Sequence, residues 1–252
     1  MENYKDPISL FKQTNFSKTI WWKLKVNISG YQNETENKLV TEIFKNRIFK
    51  LIYPTIHQNT NKFSRILIQL YEDGYICWIN LDGLIIEKHK LTKTKNLENE
   101  QSFIKDKVPS ILKWIKGQAE LTNEYLWGGT IGPNFDCSGL IQTAFFKHDI
   151  HLPRDSYQIK SFCKHLFYLK KFNRKLQPGD LLFFGKNKQC DHIGIYKGEG
   201  LYYHSSGNEF GRNGIGIDTL KETNDKISLH YQSKLISAGR VIRGYLWNRT
   251  IR

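Results

Sequence analysis

Apolar residues are spaced in two different ways along this chain. Between Thr19 and Lys88 they come as short runs of β-formers: Ile20-Trp21-Trp22-Lys23-Leu24-Lys25-Val26, Arg65-Ile66-Leu67-Ile68-Gln69-Leu70-Tyr71 and Tyr75-Ile76-Cys77-Trp78-Ile79. The last two runs are separated by Glu72-Asp73-Gly74, a turn signal. Short strands with such punctuation predict a small β-barrel over residues 19–88. Residues 1–18 are polar and read as a loose arm, and residues 89–103 are poor in apolar side chains and read as a linker. Beyond the linker the period changes. Ile104, Val108, Ile111, Leu112 and Ile115 recur at helical spacing, and Pro109 is placed in the first turn of that helix. A second helix is predicted from about Cys137 to Lys147, with Leu140, Ile141, Ala144 and Phe145 on its apolar face. After Pro178-Gly179 the pattern returns to strands at Asp180–Phe184, His192–Tyr196, Leu201–Ser205 and Ala238–Ile242. A helix layer with a sheet is an α+β plan for residues 104–252.

Composition narrows the class. A hydrophobic fraction of 39% with 13% aromatics argues for a packed core and excludes a disordered chain. The formal net charge is 38 − 24 = +14, which favours nucleic acid, a membrane surface or an acidic substrate as partner. The basic residues are scattered lysines, so they read as solvated surface with a mild pull on acidic substrates. The four cysteines, Cys77, Cys137, Cys163 and Cys190, are too irregularly spaced for a disulfide framework or a zinc knuckle. Residues 1–16 lack a continuous apolar core, and no apolar run reaches 18 residues, so neither a secretion signal nor a membrane span is expected. The expected compartment is the cytoplasm, with reduced thiols.

Candidate chemistry centres on Cys137. It follows the Gly-rich stretch Trp127-Gly128-Gly129-Thr130-Ile131-Gly132-Pro133 and opens a predicted helix. The positive end of a helix favours a thiolate, so a lowered thiol pKa is expected. Gly139 leaves space beside it. A buried structural cysteine would fit the same position. His192 opens a predicted strand and His204 lies in the next one. A three-residue loop, Lys197-Gly198-Glu199, would set the two histidines directly opposite each other on one face. A nucleophile, a base and an orienter would then be in hand, although two ordinary strand histidines fit the spacing as well. Cys190, His192 and His204 make a poor zinc set without a fourth ligand, and the glycine loop lacks the lysine of a phosphate loop. His57, His89, His148, His151, His165 and His230 have no matching partner.

At these residues the chain resembles the NlpC-type family of bacterial cell-wall cysteine peptidases. The resemblance is carried by Tyr125-Leu126-Trp127-Gly128-Gly129 with Phe135-Asp136-Cys137-Ser138-Gly139-Leu140, and by Leu152-Pro153-Arg154-Asp155-Ser156. It continues in Leu176-Gln177-Pro178-Gly179-Asp180-Leu181-Leu182-Phe183-Phe184, Asp191-His192-Ile193-Gly194-Ile195-Tyr196 and Tyr203-His204-Ser205-Ser206, and covers roughly residues 104–245. It implies a papain-like core with Cys137, His192 and His204 as catalytic residues and Tyr125 as oxyanion donor beside the Cys137 N–H. The segment Leu70-Tyr71-Glu72-Asp73-Gly74-Tyr75 with Trp78 is similar to a bacterial SH3-like domain. The two-domain pattern resembles γ-D-glutamyl-L-diamino acid endopeptidases, which act on peptides with a free N-terminal L-alanine. In that subgroup the substrate pocket falls on Tyr75, Trp127, Asp136, Ser138 and Ser156, with Asp136 facing the ammonium.

The resulting expectation is a cysteine peptidase that handles murein peptides in wall recycling, with an L-alanyl-γ-D-glutamyl-diamino acid substrate. No metal or organic cofactor, no nucleic acid and no membrane partner is expected. The oligomeric state stays open, and a monomer is compatible. Two rivals remain: a non-catalytic module that binds cell wall or nucleic acid, and an amidase or acyltransferase on the same core.

Overall fold

The computed structural model describes residues 6–53, 65–91, 100–168, 176–187, 189–209, 211–245 and 247. Residues 1–5 of the expected arm, His57, residues 92–99 of the expected linker, and residues 246 and 248–252 lie outside that set. The chain divides after residue 95 into two compact units, with Trp247 grouped with the first and residues 96–246 forming the second.

Alternation of inward and outward side chains builds the first unit. A short helix α1 (Pro7–Gln13) precedes β1 (Trp21–Leu24), β2 (Ile28–Tyr31), β3 (Leu39–Ile43), β4 (Ile48–Tyr53), β5 (Arg65–Leu70), β6 (Ile76–Asn80) and β7 (Ile86–His89). In β1, Trp22 and Leu24 are buried while Trp21 and Lys23 are only partly covered, as a half-buried strand requires. The seven strands form one antiparallel sheet in the order β3-β2-β6-β5-β4-β1-β7. Its edges are β3 and β7, and no ladder among the described residues joins them. Closure of the expected SH3-like barrel is thus not seen among the described residues, which form a seven-stranded sheet. The loose arm is corrected. Asp6 caps α1 by accepting from the N–H groups of Ile8 and Ser9 at 3.3 and 3.0 Å, and Pro7 occupies its first turn. Phe11 is buried edge-on against Trp22, with ring centroids 5.1 Å apart. The turn before Tyr75 is clamped by the buried Arg47, which pairs with Glu72 at 3.1 Å and Asp73 at 2.8 Å.

The second unit sets helices against a mixed-order antiparallel sheet. It comprises α2 (Gln101–Ala119), α3 (Cys137–Phe146), α4 (Ser156–Phe162), β8 (Lys164–Tyr168), β9 (Leu181–Lys186), β10 (Gln189–Gly198), β11 (Leu201–Ser206), β12 (Gly214–Thr219), α5 (Lys226–Lys234) and β13 (Leu235–Arg240). The sheet order is β12-β11-β10-β9-β13-β8. The helix α3 is buried from Cys137 to Phe145 and packs on α2, β10 and β11. Each of Leu140, Ile141 and Phe145, fully removed from water, contributes roughly 1.5–3 kcal/mol. That burial fixes the helix whose first residue is Cys137. Pro109 sits in the middle of α2 rather than in its first turn, because the helix begins at Gln101. It lies on the exposed side of α2, where the carbonyl freed by its missing N–H faces solvent.

Candidate active site

The loop before α3 is folded tightly onto the helix start. Gly139 lies so close to this loop that a Cβ there would stand 2.0 Å from the Gly129 carbonyl oxygen. Glycine is thus required at position 139 by close backbone approach, which is the physical content of the space expected beside Cys137. Asp136 is the N-cap. Its Oδ1 accepts from the Gly139 N–H at 2.6 Å and the Ser138 hydroxyl at 3.1 Å, and its Oδ2 accepts from the Gly128 N–H at 2.9 Å. Arg154 closes the cluster, donating to Asp136 Oδ2 at 2.6 Å, Asp136 Oδ1 at 3.3 Å and Ser138 Oγ at 2.9 Å. The Leu140 N–H is taken by the Asp136 carbonyl at 3.0 Å, and the Ser138 N–H bonds to the Cys137 sulfur. Of the donors a helix start leaves over, the Cys137 N–H is the one these contacts do not engage. Tyr125 is brought beside the same loop by a bridge to Phe135.

The histidines come from a hairpin whose turn differs from the expected one. β10 and β11 close on the two residues Glu199-Gly200, both at positive φ (57° and 81°), not on Lys197-Gly198-Glu199. Such a turn suits a two-residue hairpin. Gly198 pairs with Leu201, but one step further Tyr196 pairs with Tyr202, so Lys197 is an extra residue in β10. Without that bulge, His192 and His204 would fall on opposite faces, since a one-residue slip inverts every side chain. With it they share a face in a diagonal relation rather than directly opposite. His192 Nε2 lies 2.8 Å from His204 Nδ1. His192 is joined to Cys137 through its neighbour, because the Ile193 N–H bonds to the Cys137 sulfur.

Electrostatics here run against one sequence expectation. Burial pushes the Cys137 thiol up to about 12 and Asp136 adds to the rise, outweighing the Ile193 and Ser138 N–H groups and Arg154. The expected lowered thiol is therefore corrected: desolvation exceeds the helix-end effect. His192 is held well below 6.5 by burial, then by His204 and Lys234, with Asp218 opposing. Both shifts favour the uncharged forms, a thiol and a neutral imidazole. Burial raises Tyr125, and Cys137 and Asp136 raise it further, so it stays a neutral O–H donor.

The expected binding residues have diverse surroundings. Trp127 is 62% exposed. Tyr75 belongs to the first unit, packed against that unit's core. Ser156 is buried at the start of α4, and its hydroxyl bonds to the Cys190 thiol. Ser138 is engaged with Asp136 and Arg154. Asp136 receives five donor contacts on its two oxygens, two of them from Arg154, which balances its charge. All four cysteines are buried and outside any disulfide. Among the described residues no three His, Cys, Asp or Glu side chains are placed to hold a metal ion, and no helix is long and apolar enough to cross a membrane.

Three site residues were not singled out in the sequence. Arg154 is one, quoted only as part of a motif. Asp218 is another: its Oδ2 stands 2.5 Å from His204 Nε2, and its Oδ1 accepts from Ser228 Oγ at 2.9 Å and from Arg212. Tyr231 of α5 is the third, with its ring centroid 4.6 Å from each imidazole and its hydroxyl bonded to Ser206. The parity rule could have found Asp218, since β12 pairs directly with β11. No sequence signal marks Tyr231.

Residues 122–233 match the model of the NlpC/P60 family. The chain is 35% identical over 121 residues to a bifunctional muramidase/DL-endopeptidase of Bacillus subtilis, covering 46% of this chain and 32% of that protein. It is 36% identical over 126 residues to a gamma-DL-glutamyl hydrolase of the same organism, covering 47% and 26% respectively. It thus spans a third or less of the length of these two relatives. A crystal structure of an NlpC/P60 family protein from Bacillus cereus is similar at a TM-score of 0.45 and 19% identity, covering 92% of this chain and 66% of that one.

Proposed function

We propose that the second unit is a cysteine peptidase that hydrolyses γ-D-glutamyl bonds to a diamino acid in murein peptides. The observation that carries this reading is the line of a half-buried His192 with buried His204 and Asp218, beside a cysteine at a helix start. Relatives named as a DL-endopeptidase and a gamma-DL-glutamyl hydrolase supply the bond class.

In this reading His192 takes the Cys137 proton as the sulfur bonds to the γ-carbonyl carbon. The carbonyl oxygen becomes an oxyanion held by the Cys137 N–H and the Tyr125 hydroxyl. When the tetrahedral centre collapses, the C–N bond breaks and His192 gives its proton to the departing amine. Water then attacks the thioester as His192 takes its proton; the C–S bond breaks, the acid product leaves, and His192 returns the proton to the sulfur. Trp127, Asp136, Ser138 and Ser156 are the side chains of the second unit proposed for the peptide. A free N-terminal L-alanine is part of the proposal, as is a recycling role in the cytoplasm.

The test is incubation of the protein with L-alanyl-γ-D-glutamyl-diaminopimelate and with its N-acetyl form, reading product masses. Release of free diaminopimelate supports the bond assignment, and no cleavage of either peptide rejects it. Equal rates on both would remove the free-amine element and leave a general wall peptidase.

A further inference from the structure

We propose that Asp218 is a positioning residue: by accepting the Nε2 proton of His204 it sets the tautomer of both imidazoles and leaves Nδ1 of His192 bare to take the Cys137 proton. This rests on the reading of Cys137 and His192 as nucleophile and base. It adds a fourth member to that set and assigns the nitrogen that reacts.

The assignment follows from counting protons. Both ring nitrogens of His204 are engaged, Nδ1 with His192 Nε2 at 2.8 Å and Nε2 with Asp218 Oδ2 at 2.5 Å. A neutral imidazole has one donor and one acceptor, and an ionised carboxylate only accepts. Burial lowers His204 and favours its neutral form, with one ring proton; beside the carboxylate that proton sits on Nε2, and Nδ1 accepts. The donor to that Nδ1 is then His192 Nε2–H. His192 has spent its single proton, so its Nδ1 is the free base. The opposite tautomer would set a lone pair against a carboxylate whose side chain is fully buried, which is costly away from water. Asp218 is kept in place and ionised. Burial would raise it, but bonds from His204 and Arg212 hold it down to about 2.

Its other oxygen is held by Ser228 and Arg212, and Arg212 also reaches Asp225 at 2.6 Å. Asp225 is the N-cap of α5, the helix that brings Tyr231 against both imidazoles. One cluster thus fixes the tautomer and the packing of the base. The charged and titratable groups facing the imidazole pair are Asp218 and Arg212 on one side and His230, Tyr231 and Lys234 of α5 on the other.

The experiment compares wild type with Asp218→Asn and Asp218→Ala. Long-range proton–nitrogen NMR of the substrate-free proteins reads which ring nitrogen carries each proton. In wild type both histidines are expected as Nε2–H. Loss of the acceptor lets the His192 proton move to Nδ1. In the variants kcat should fall at least about 100-fold with little change in KM, as for an orienting carboxylate whose loss gives the wrong tautomer. The acid limb of kcat/KM should also move to lower pH. The reason is that the Asp218 charge favours protonated His192, and removing it makes His192 harder to protonate. A wild-type His192 protonated at Nδ1 overturns the proposal, and so does a loss of kcat with tautomer and acid limb unchanged. The wild-type spectrum needs neither substrate nor variant. If no peptide is cleaved, the peptidase reading fails, while the tautomer is still read directly.

Discussion

Replacing Arg154 by methionine should damage the second unit more than any surface change. Arg154 is 2% exposed and supplies three of the contacts that hold Asp136 and Ser138 at the start of α3. Methionine fills much of the volume but leaves the Asp136 carboxylate buried without its cation. Removing one partner of a buried pair costs about 3–5 kcal/mol. For a unit of this size that corresponds to a drop of roughly 6–20 °C in Tm. The assay is thermal and urea unfolding of wild type, Arg154→Met, Asp136→Asn and the double variant. The two changes should be non-additive, with the double variant recovering about 2 kcal/mol of the summed loss, because each single change strands the other partner. Reactivity should follow. Arg154 opposes the rise of the Cys137 thiol, so iodoacetamide should label Arg154→Met more slowly than wild type at the same pH. Stability within about 0.5 kcal/mol of wild type, together with additive single changes, would refute the reading of this pair as the frame of the nucleophile.

Other outcomes follow from the same geometry. Gly139→Ala places a Cβ 2.0 Å from the Gly129 carbonyl. A displacement of about 1 Å at the helix start should cost about 100-fold in kcat/KM, measured on the tripeptide. Asp218 is depressed from 3.8 to about 2, so its stabilisation is complete above pH 3.8 and is lost as pH falls through 2. Wild type should therefore lose about 2 kcal/mol more than Asp218→Asn between pH 5 and strong acid, read by urea unfolding. Tyr231→Phe keeps the ring against both imidazoles and should hold kcat within about tenfold of wild type. Tyr231→Ala opens a void worth about 3–5 kcal/mol and should lower both Tm and kcat.

Much of the second unit was legible because its signals are local. The helix at Cys137 shows in the apolar spacing of Leu140, Ile141, Ala144 and Phe145, and the strands carrying His192 and His204 show as runs between glycines. What was not legible depends on contacts distant in sequence. The bulge at Lys197 restores the shared face of the histidines, and no residue type at that position announces it. Asp218 and Tyr231 reach the imidazoles only through the pairing of β12 with β11 and the return of α5. The thiol of Cys137 was misjudged because a helix end is visible in sequence whereas burial is not. In the first unit, the strands of β5 and β6 were readable, but closure of a barrel depends on how β3 and β7 meet, which no periodicity encodes. Asp6 and Pro7 did carry the start of α1, a cap signal passed over in a polar stretch.

The central claim is that Cys137 becomes covalently attached to the γ-carbonyl of the substrate. Mixing the protein with L-alanyl-γ-D-glutamyl-diaminopimelate, quenching in acid within the first turnovers and measuring intact mass tests it directly. The expected result is an adduct with the mass of the L-alanyl-γ-D-glutamyl acyl group, mapped by digestion to Cys137 and missing in Cys137→Ala, which is folded and inactive. Hydrolysis at the wild-type rate by Cys137→Ala, or an acyl group mapped to another residue, would contradict the account.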